Sequence, residues 1–395
     1  MAPTHSLIVG SGIFGVTAAR ELKSRGHRVT LVDAGPIPHP DAASTDISKV
    51  IRMEYGADDH YMALVEESLS GWDAWNERWV AQGTGRLYHQ TGVLMVCREP
   101  MASGGFEHDS WRLLRRRGHR PERMDATTLA RRFPAWSTGN HVDGFYHARG
   151  GYTESGRVVR ALVEWAAAEG VAVRERFRAA SLDLEHDRAV GVVSEAGEKL
   201  AADEVVVAAG AWLGKLVPEL APLIRVSGHP VFHYRPADPA PFEPAAFPVF
   251  TADVARTGFY GFPLNPDGVV KIATHSLGVE LDADAPRTVT AADEAHQRAF
   301  LRETFPALAE APVAATRLCL YADTRDEDLW IDRHPAVAGL TVAGGGSGHG
   351  FKFAPVLGAI IADALEGRTT APGERFRWRT GIRPGEGREA ARHHG

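Results

Sequence analysis

Residues 6–33 read SLIVGSGIFGVTAARELKSRGHRVTLVD, and no other stretch narrows the possible folds as much. Leu7–Val9 is a short apolar run, glycines follow at Gly10, Gly12 and Gly15, and an alanine-rich helical pattern runs to Gly26. The β-branched run Val29–Val32 completes a strand–helix–strand unit. In such a unit Gly10 makes the tight turn, Gly12 lets backbone N–H groups approach a pyrophosphate, and Gly15 lets helix and strand close-pack. The helix N-terminus favours the negative charge, and Asp33, 18 residues after Gly15, offers a carboxylate to a ribose. The pattern points to an ADP-containing cofactor. An Asp rather than a basic residue argues against a 2′-phosphate.

The chain has 395 residues, comfortable for two units sharing a large core, and 44% hydrophobic with 24% charged residues is an ordinary globular composition. A formal net charge of −6 gives no reason to expect nucleic acid or an acidic membrane surface as partner. No run approaches the ~20 apolar residues a membrane span needs. The opening MAPTHSLIVGSG enters an apolar strand at once, so no secretory signal is expected. Two cysteines, Cys97 and Cys319, cannot make a disulfide framework, which fits a reducing cytoplasm. No metal site is expected, and a monomer is.

Further along, Val65, Leu69, Trp72, Trp75 and Trp79 recur at helical spacing after Asp58 and Asp59, which reads as core packing. ESGRVVRALVEWAAAEGVAV predicts a helix leading into a strand, Arg178–Lys199 a hairpin, and DEVVVAAGAW a buried strand. A proline-rich segment over 228–250 suggests a switch to another subdomain. Ser347–Leu365 returns to helix, with Leu357, Ile361 and Leu365 in register and Gly367 to end it. The last stretch, RTGIRPGEGREAARHHG, has no apolar period. The expected division is a discontinuous nucleotide-binding domain (1–85, 150–225 and 325–385), a substrate domain (86–149 and 226–324) and a mobile tail (386–395). The fold class is α/β, a Rossmann-type domain beside an α+β domain on a mixed or antiparallel sheet. After the first strand–helix–strand unit the chain runs into a loop and a long helix rather than further alternating units. With a buried strand beside a hairpin, that favours FAD over NAD.

Five motifs in order then carry a resemblance: IVGSGIFG with Asp33, SKVIRMEYG, FYGFP followed by VKIATH, RLCLYADTRDEDLWIDRHP, and GGSGHGFKF. The chain resembles the sarcosine oxidase group of FAD-dependent amine oxidases, in the D-amino-acid-oxidase structural class, from about Ser6 to Gly367. Lys49, in STDISKVIR, stands where sarcosine oxidases have an Arg. With GGSGHGFKFAPVLG, it places the chain nearer the pipecolate, saccharopine and fructosyl-amino-acid oxidases.

The resemblance implies roles. Cys319 falls where the flavin is attached through a cysteinyl thioether, and a neighbouring cation such as Arg317 would lower the thiol pKa. Lys271 falls beside the position where O2 is reduced. Arg52 and Lys352 match the pair that holds a substrate carboxylate, which accounts for a Lys set among glycines and phenylalanines in GGGSGHGFKF. His349, Tyr260, His275 and Tyr321 match cavity-lining positions. The cofactor is expected on Gly10, Gly12, Ile13, Phe14, Gly15, Asp33 and Ala34. Ser48, Lys49, Gly210, Trp212 and Cys319 join them, with Gly346, Gly348, Gly350 and Lys352 in the late glycine-rich turn.

The function expected is oxidation of a secondary or N-substituted α-amino acid to an imine, with O2 reduced to H2O2. The alternative is a biosynthetic dehydrogenation of a cyclic amino acid or imine. An NAD-linked dehydrogenase is disfavoured by the missing second Rossmann half. A silent flavin-binding subunit is disfavoured by Lys271, Arg52, Lys352 and Cys319 occurring together.

Overall fold

The computed structural model describes residues 3–137, 139–382 and 389–394. Two sheets organise them. The first has six strands, in the order Trp330–Arg333, Leu340–Gly344, Glu204–Val207, His5–Val9, Arg28–Val32 and Ala172–Arg174. All its neighbours run parallel except the first pair. His5–Val9 and Leu340–Gly344 are buried along their whole length, as strands covered on both faces must be. Helix Ile13–Ser24 packs between helices Ala354–Leu365 and Ser155–Ala168.

Local sequence accounts for these elements. Helix Ile13–Ser24 closes before Gly26, which takes the left-handed conformation at φ +90°. Helix Asp59–Ala81 starts where the Asp58 carboxylate accepts the Tyr61 N–H at 3.0 Å, and it buries Trp72 and Trp79. The hairpin expected over Arg178–Lys199 forms from Ala179–Glu185 and Arg188–Ser194, and Lys199–Ala201 adds a third strand. The late helix begins only at Ala354, after a 3-10 turn at Gly350–Phe353, so the expected start at Ser347 is seven residues early.

The second sheet is mixed and largely antiparallel, with nine strands drawn from residues 93–147 and 224–324. Two long strands, Ile224–Tyr234 and Val313–Thr324, pair antiparallel through its middle. Ile224 and Ala322 belong to the apolar cluster of the first sheet, whereas Phe232 and Tyr234 lie in that of the second. The pair therefore ties the two cores together. Pro230 falls between the partners Gly228 and Val231 find on one side, so that side has no ladder bond to lose.

The expectation of a mobile segment over 386–395 is corrected for 389–394. Glu389, Ala391 and Arg392 are buried, and the Arg392 guanidinium meets Asp323 at 2.7 Å and Glu327 at 3.0 Å. Residues 386–388 and 395 lie outside the described residues. The segment carries no apolar period because its fixing contacts are ionic.

Candidate active site

The first cleft lies at the ends of His5–Val9 and Arg28–Val32 and has a volume of about 340 Å³. Gly10 sits at φ +102°, and a Cβ there would stand 2.5 Å from the Ala208 carbonyl oxygen. A Cβ on Gly15 would stand 1.8 Å from the carbonyl oxygen of Gly10. Only glycine lets the turn and the helix meet this way. Gly12, the N-cap, has no side chain to close that helix end; the Ser44 hydroxyl accepts the Ile13 N–H at 3.0 Å, and all three residues line the cleft. Asp33 is buried, and its Oδ2 accepts both the backbone N–H and the hydroxyl of Ser11 at 2.7 Å. Among the described residues its other oxygen meets only the Gly35 N–H, at 3.3 Å, which leaves capacity for a ribose hydroxyl.

Ile13, Phe14, Ala34, Lys49, Gly210, Trp212, Gly346, Gly348 and Gly350 line the same cleft. Gly15 lies beneath it, and Ser48 turns its carbonyl to Lys271. A dinucleotide fits these residues: a glycine cradle that a Cβ would fill, a helix N-terminus at the cleft wall and one carboxylate at the second strand's end.

A smaller cavity adjoins it, sharing Lys49, Tyr321, Gly348 and Phe351. All seven residues expected around a substrate line it: Arg52, Tyr260, Lys271, His275, Tyr321, His349 and Lys352. Strand registry explains part of this convergence. Tyr260 pairs with Ala273, two residues from Lys271, and Tyr321 sits two residues from Cys319, so each pair shares a sheet face.

Lys352 follows Phe351 into the core turn, and its Nζ donates to the Tyr55 hydroxyl at 2.8 Å. The Tyr55 oxygen lies 3.0 Å from His349 Nδ1, and His349 Nε2 lies 2.9 Å from the Glu327 carbonyl oxygen. The carbonyl can only accept, so Nε2 carries the proton and Nδ1 accepts from Tyr55. Burial drives His349 down to about 3, which keeps the ring neutral. Burial, with Arg52 alongside, also holds Lys352 well below its ordinary value.

Arg52 donates to the Glu54 carbonyl and to the Glu389 carboxylate, the latter at 3.0 Å. His275 Nε2 contacts the other oxygen of Glu389. Lys271 is buried beneath the cavity, with Nζ 2.5 Å from Asp46 and 2.7 Å from the Ser48 carbonyl. Burial lowers Lys271 to about 8, and the Asp46 charge opposes the fall.

Cys319 is buried, and the cation at its sulfur is Lys49, at 3.9 Å, rather than Arg317. Arg317 turns away to donate to the carbonyls of Thr45 and Ala42. Cys97 is buried too, and burial raises its thiol beyond the ordinary range, as suits a packing residue.

Sequence reasoning missed Tyr55, Asp46, Glu389 and Arg392. Tyr55 and Asp46 lie within or beside the quoted SKVIRMEYG motif, which was the available signal. Nothing local marks Glu389. Among the described residues, no group of three or more His, Cys, Asp or Glu side chains is placed to hold a metal, and no helix is long and apolar enough to cross a membrane.

Known proteins share this architecture. The chain is 31% identical over 371 residues to N-methyl-L-tryptophan oxidase of Salmonella heidelberg, covering 92% of this chain and 95% of that one. It is 27% identical over 369 residues to monomeric sarcosine oxidase of a Bacillus species, covering 92% of both chains. Among solved structures, fructosyl amine:oxygen oxidoreductase (Amadoriase I) of Aspergillus fumigatus superposes with a TM-score of 0.81 at 23% identity, over 96% of this chain and 90% of that one. Fructosyl peptide oxidase of E. terrenum superposes at 0.84 with 21% identity, over 99% and 96%. The family described as DAO, FAD dependent oxidoreductase, matches residues 5–364, and the chain belongs to that family.

Proposed function

We propose that the protein oxidises a secondary or N-substituted α-amino acid at the C–N bond, giving an imine and H2O2. The observation that carries this reading is the surroundings of Arg52. Its guanidinium, buried beside His275 and Lys352, already holds a carboxylate, that of Glu389. A pocket that stabilises one buried carboxylate has the charge to stabilise another. The relatives named for N-methyl-L-tryptophan and sarcosine support the substrate class.

FAD, when bound in the first cleft, supplies the hydride acceptor and the route for electrons to O2. The chain's own residues do the rest. Arg52 takes the substrate carboxylate through its planar fork. Lys352, which burial and Arg52 press toward neutrality, regains its proton when that anion arrives beside it. Tyr55 and His349 hold the Lys352 ammonium in place through their ordered hydrogen bonds. Tyr260 and Tyr321 wall the cavity and exclude water from the carbon beside the amine. The substrate enters with its amine free of a proton, so no side chain need act as base. Lys271 places a buried cation where oxygen gains negative charge, and Asp46 fixes its position. Cys319, with Lys49 alongside, supports a thioether to the cofactor. We also take the chain to divide into the discontinuous cofactor and substrate domains expected from sequence, as the strand memberships of the two sheets support.

One anaerobic experiment tests the reading. N-methylated and cyclic amino acids should bleach the flavin absorbance, and the same amines lacking the carboxylate should not. Acid precipitation of the same sample should then leave the yellow colour with the polypeptide. Equal bleaching by the decarboxylated amines would overturn the substrate class, and flavin wholly in the supernatant would overturn the thioether.

A further inference from the structure

The segment 389–394 reaches the cavity from the far end of the sequence. Its backbone is pinned at both ends: the Glu389 N–H donates to the Glu327 carboxylate at 2.6 Å, and the His393 N–H donates to the His275 carbonyl at 2.9 Å. Between them Arg392 is held by Asp323, Glu327 and the Ser347 carbonyl. The side chain this sets against two residues of the cavity wall, Arg52 and His275, is the carboxylate of Glu389.

We propose that Glu389 is a resident carboxylate occupying the chain's own substrate-carboxylate position, so that a substrate must displace it and Glu389 becomes a specificity determinant. The inference rests on the carboxylate-binding reading of Arg52 given above.

Three observations converge on it. The contacts of Glu389 are those a free amino acid's carboxylate would need: one oxygen on the Arg52 guanidinium, the other on His275, both lining the cavity. Burial disfavours the charge of Glu389, yet the contact with His275 and the Arg52 guanidinium hold its carboxyl well below the ordinary range, so it is an anion there. The cavity that Arg52 and His275 line has a volume of about 50 Å³, room for a few waters. The anchor and the head are separable. Arg392 makes its ion pairs with Asp323 and Glu327, away from Arg52, so Glu389 can swing out while Arg392 stays.

Displacement filters substrates. An acid that brings only a carboxylate regains what Glu389 gives up. A substrate that also packs an N-substituent or side chain against Tyr260 and Tyr321 gains the difference. If Glu389 occupies the site ~90–99% of the time, a competing carboxylate binds ~10- to 100-fold more weakly than to the open site.

The test uses the FAD-loaded protein and sodium propionate, followed by calorimetry and by hydrogen exchange of the 389–393 amides. Glu389→Gln should bind propionate at least ~10-fold more tightly, and in the unmodified protein saturating propionate should speed exchange at Glu389 and Ala390. Unchanged or weaker binding by Glu389→Gln, or exchange indifferent to propionate, would overturn the proposal. If the variant does not fold, exchange in the unmodified protein decides alone. Arg52→Ala separates the two readings. Weakened propionate binding in Arg52→Ala without tightening in Glu389→Gln defeats only this inference, whereas unchanged binding in Arg52→Ala defeats the carboxylate site as well.

Discussion

The proposed nucleotide cleft and the proposed amine cavity share four residues, yet they are assembled differently. The cleft is shaped by backbone. Gly10, Gly15 and Asp33 lie within one strand–helix–strand unit, and the decisive contacts, such as Asp33 on Ser11, span 22 residues. The cavity is shaped by charge across the chain. Lys271 meets Asp46 across 225 residues, and Arg52 meets Glu389 across 337. The cleft leaves no room for a Cβ at Gly10 or Gly15, whereas the cavity is braced by the buried ion pairs of Arg52 and Lys271.

The sharpest way to break that contrast is to add one methyl to the cleft. Gly15→Ala puts a Cβ against the Gly10 carbonyl, where neither backbone has room to yield. Overpacking of this kind costs ~1–3 kcal/mol or more, concentrated in the turn that receives the cofactor. The protein should purify with little or no FAD, measured as the ratio of flavin to protein absorbance. A full complement of FAD would show that the turn does not need its glycine.

In the cavity the large effect comes from charge alone. Lys271→Met keeps the bulk and removes the cation, and reoxidation of reduced protein by O2 should slow by at least ~10²-fold in stopped flow. In the unmodified protein the rate should fall as pH rises through about 8, because Lys271 is protonated below its lowered value and neutral above it. The Met variant should show no such step. A pH-independent rate in the parent would remove Lys271 from oxygen chemistry.

What sequence disclosed follows the same line. The Gly10–Asp33 unit, the helix capped by Asp58, and the hairpin after Arg178 were legible because each is made by neighbours. The seven cavity residues were legible only through resemblance, since nothing local says that Tyr260 on one strand and His349 in a distant turn share a cavity. Glu389 and Arg392 were hidden for a physical reason. A segment fixed by ion pairs leaves no hydrophobic period, so buried and solvated charges read alike along a chain. Arg317 shows the same blindness: two residues from Cys319, it spends its donors on the carbonyls of Ala42 and Thr45. Strand alternation puts it on the same face as the thiol, and its hydrogen bonds to those two loop carbonyls hold the guanidinium away from the sulfur.

The smallest expected effect is also the most decisive. Replacing Arg52 by Ala breaks the buried pair with Glu389, so stability should fall whatever Arg52 does for a substrate. Carboxylate affinity is therefore the quantity to measure, as the propionate dissociation constant of the folded, FAD-loaded Arg52→Ala protein against its parent. Loss of one charged contact should weaken binding roughly 10- to 150-fold, with Arg52→Lys between the two because it keeps the charge and loses the fork. An affinity equal to the parent's would mean that Arg52 only braces Glu54 and Glu389, and would contradict the amino-acid oxidase reading.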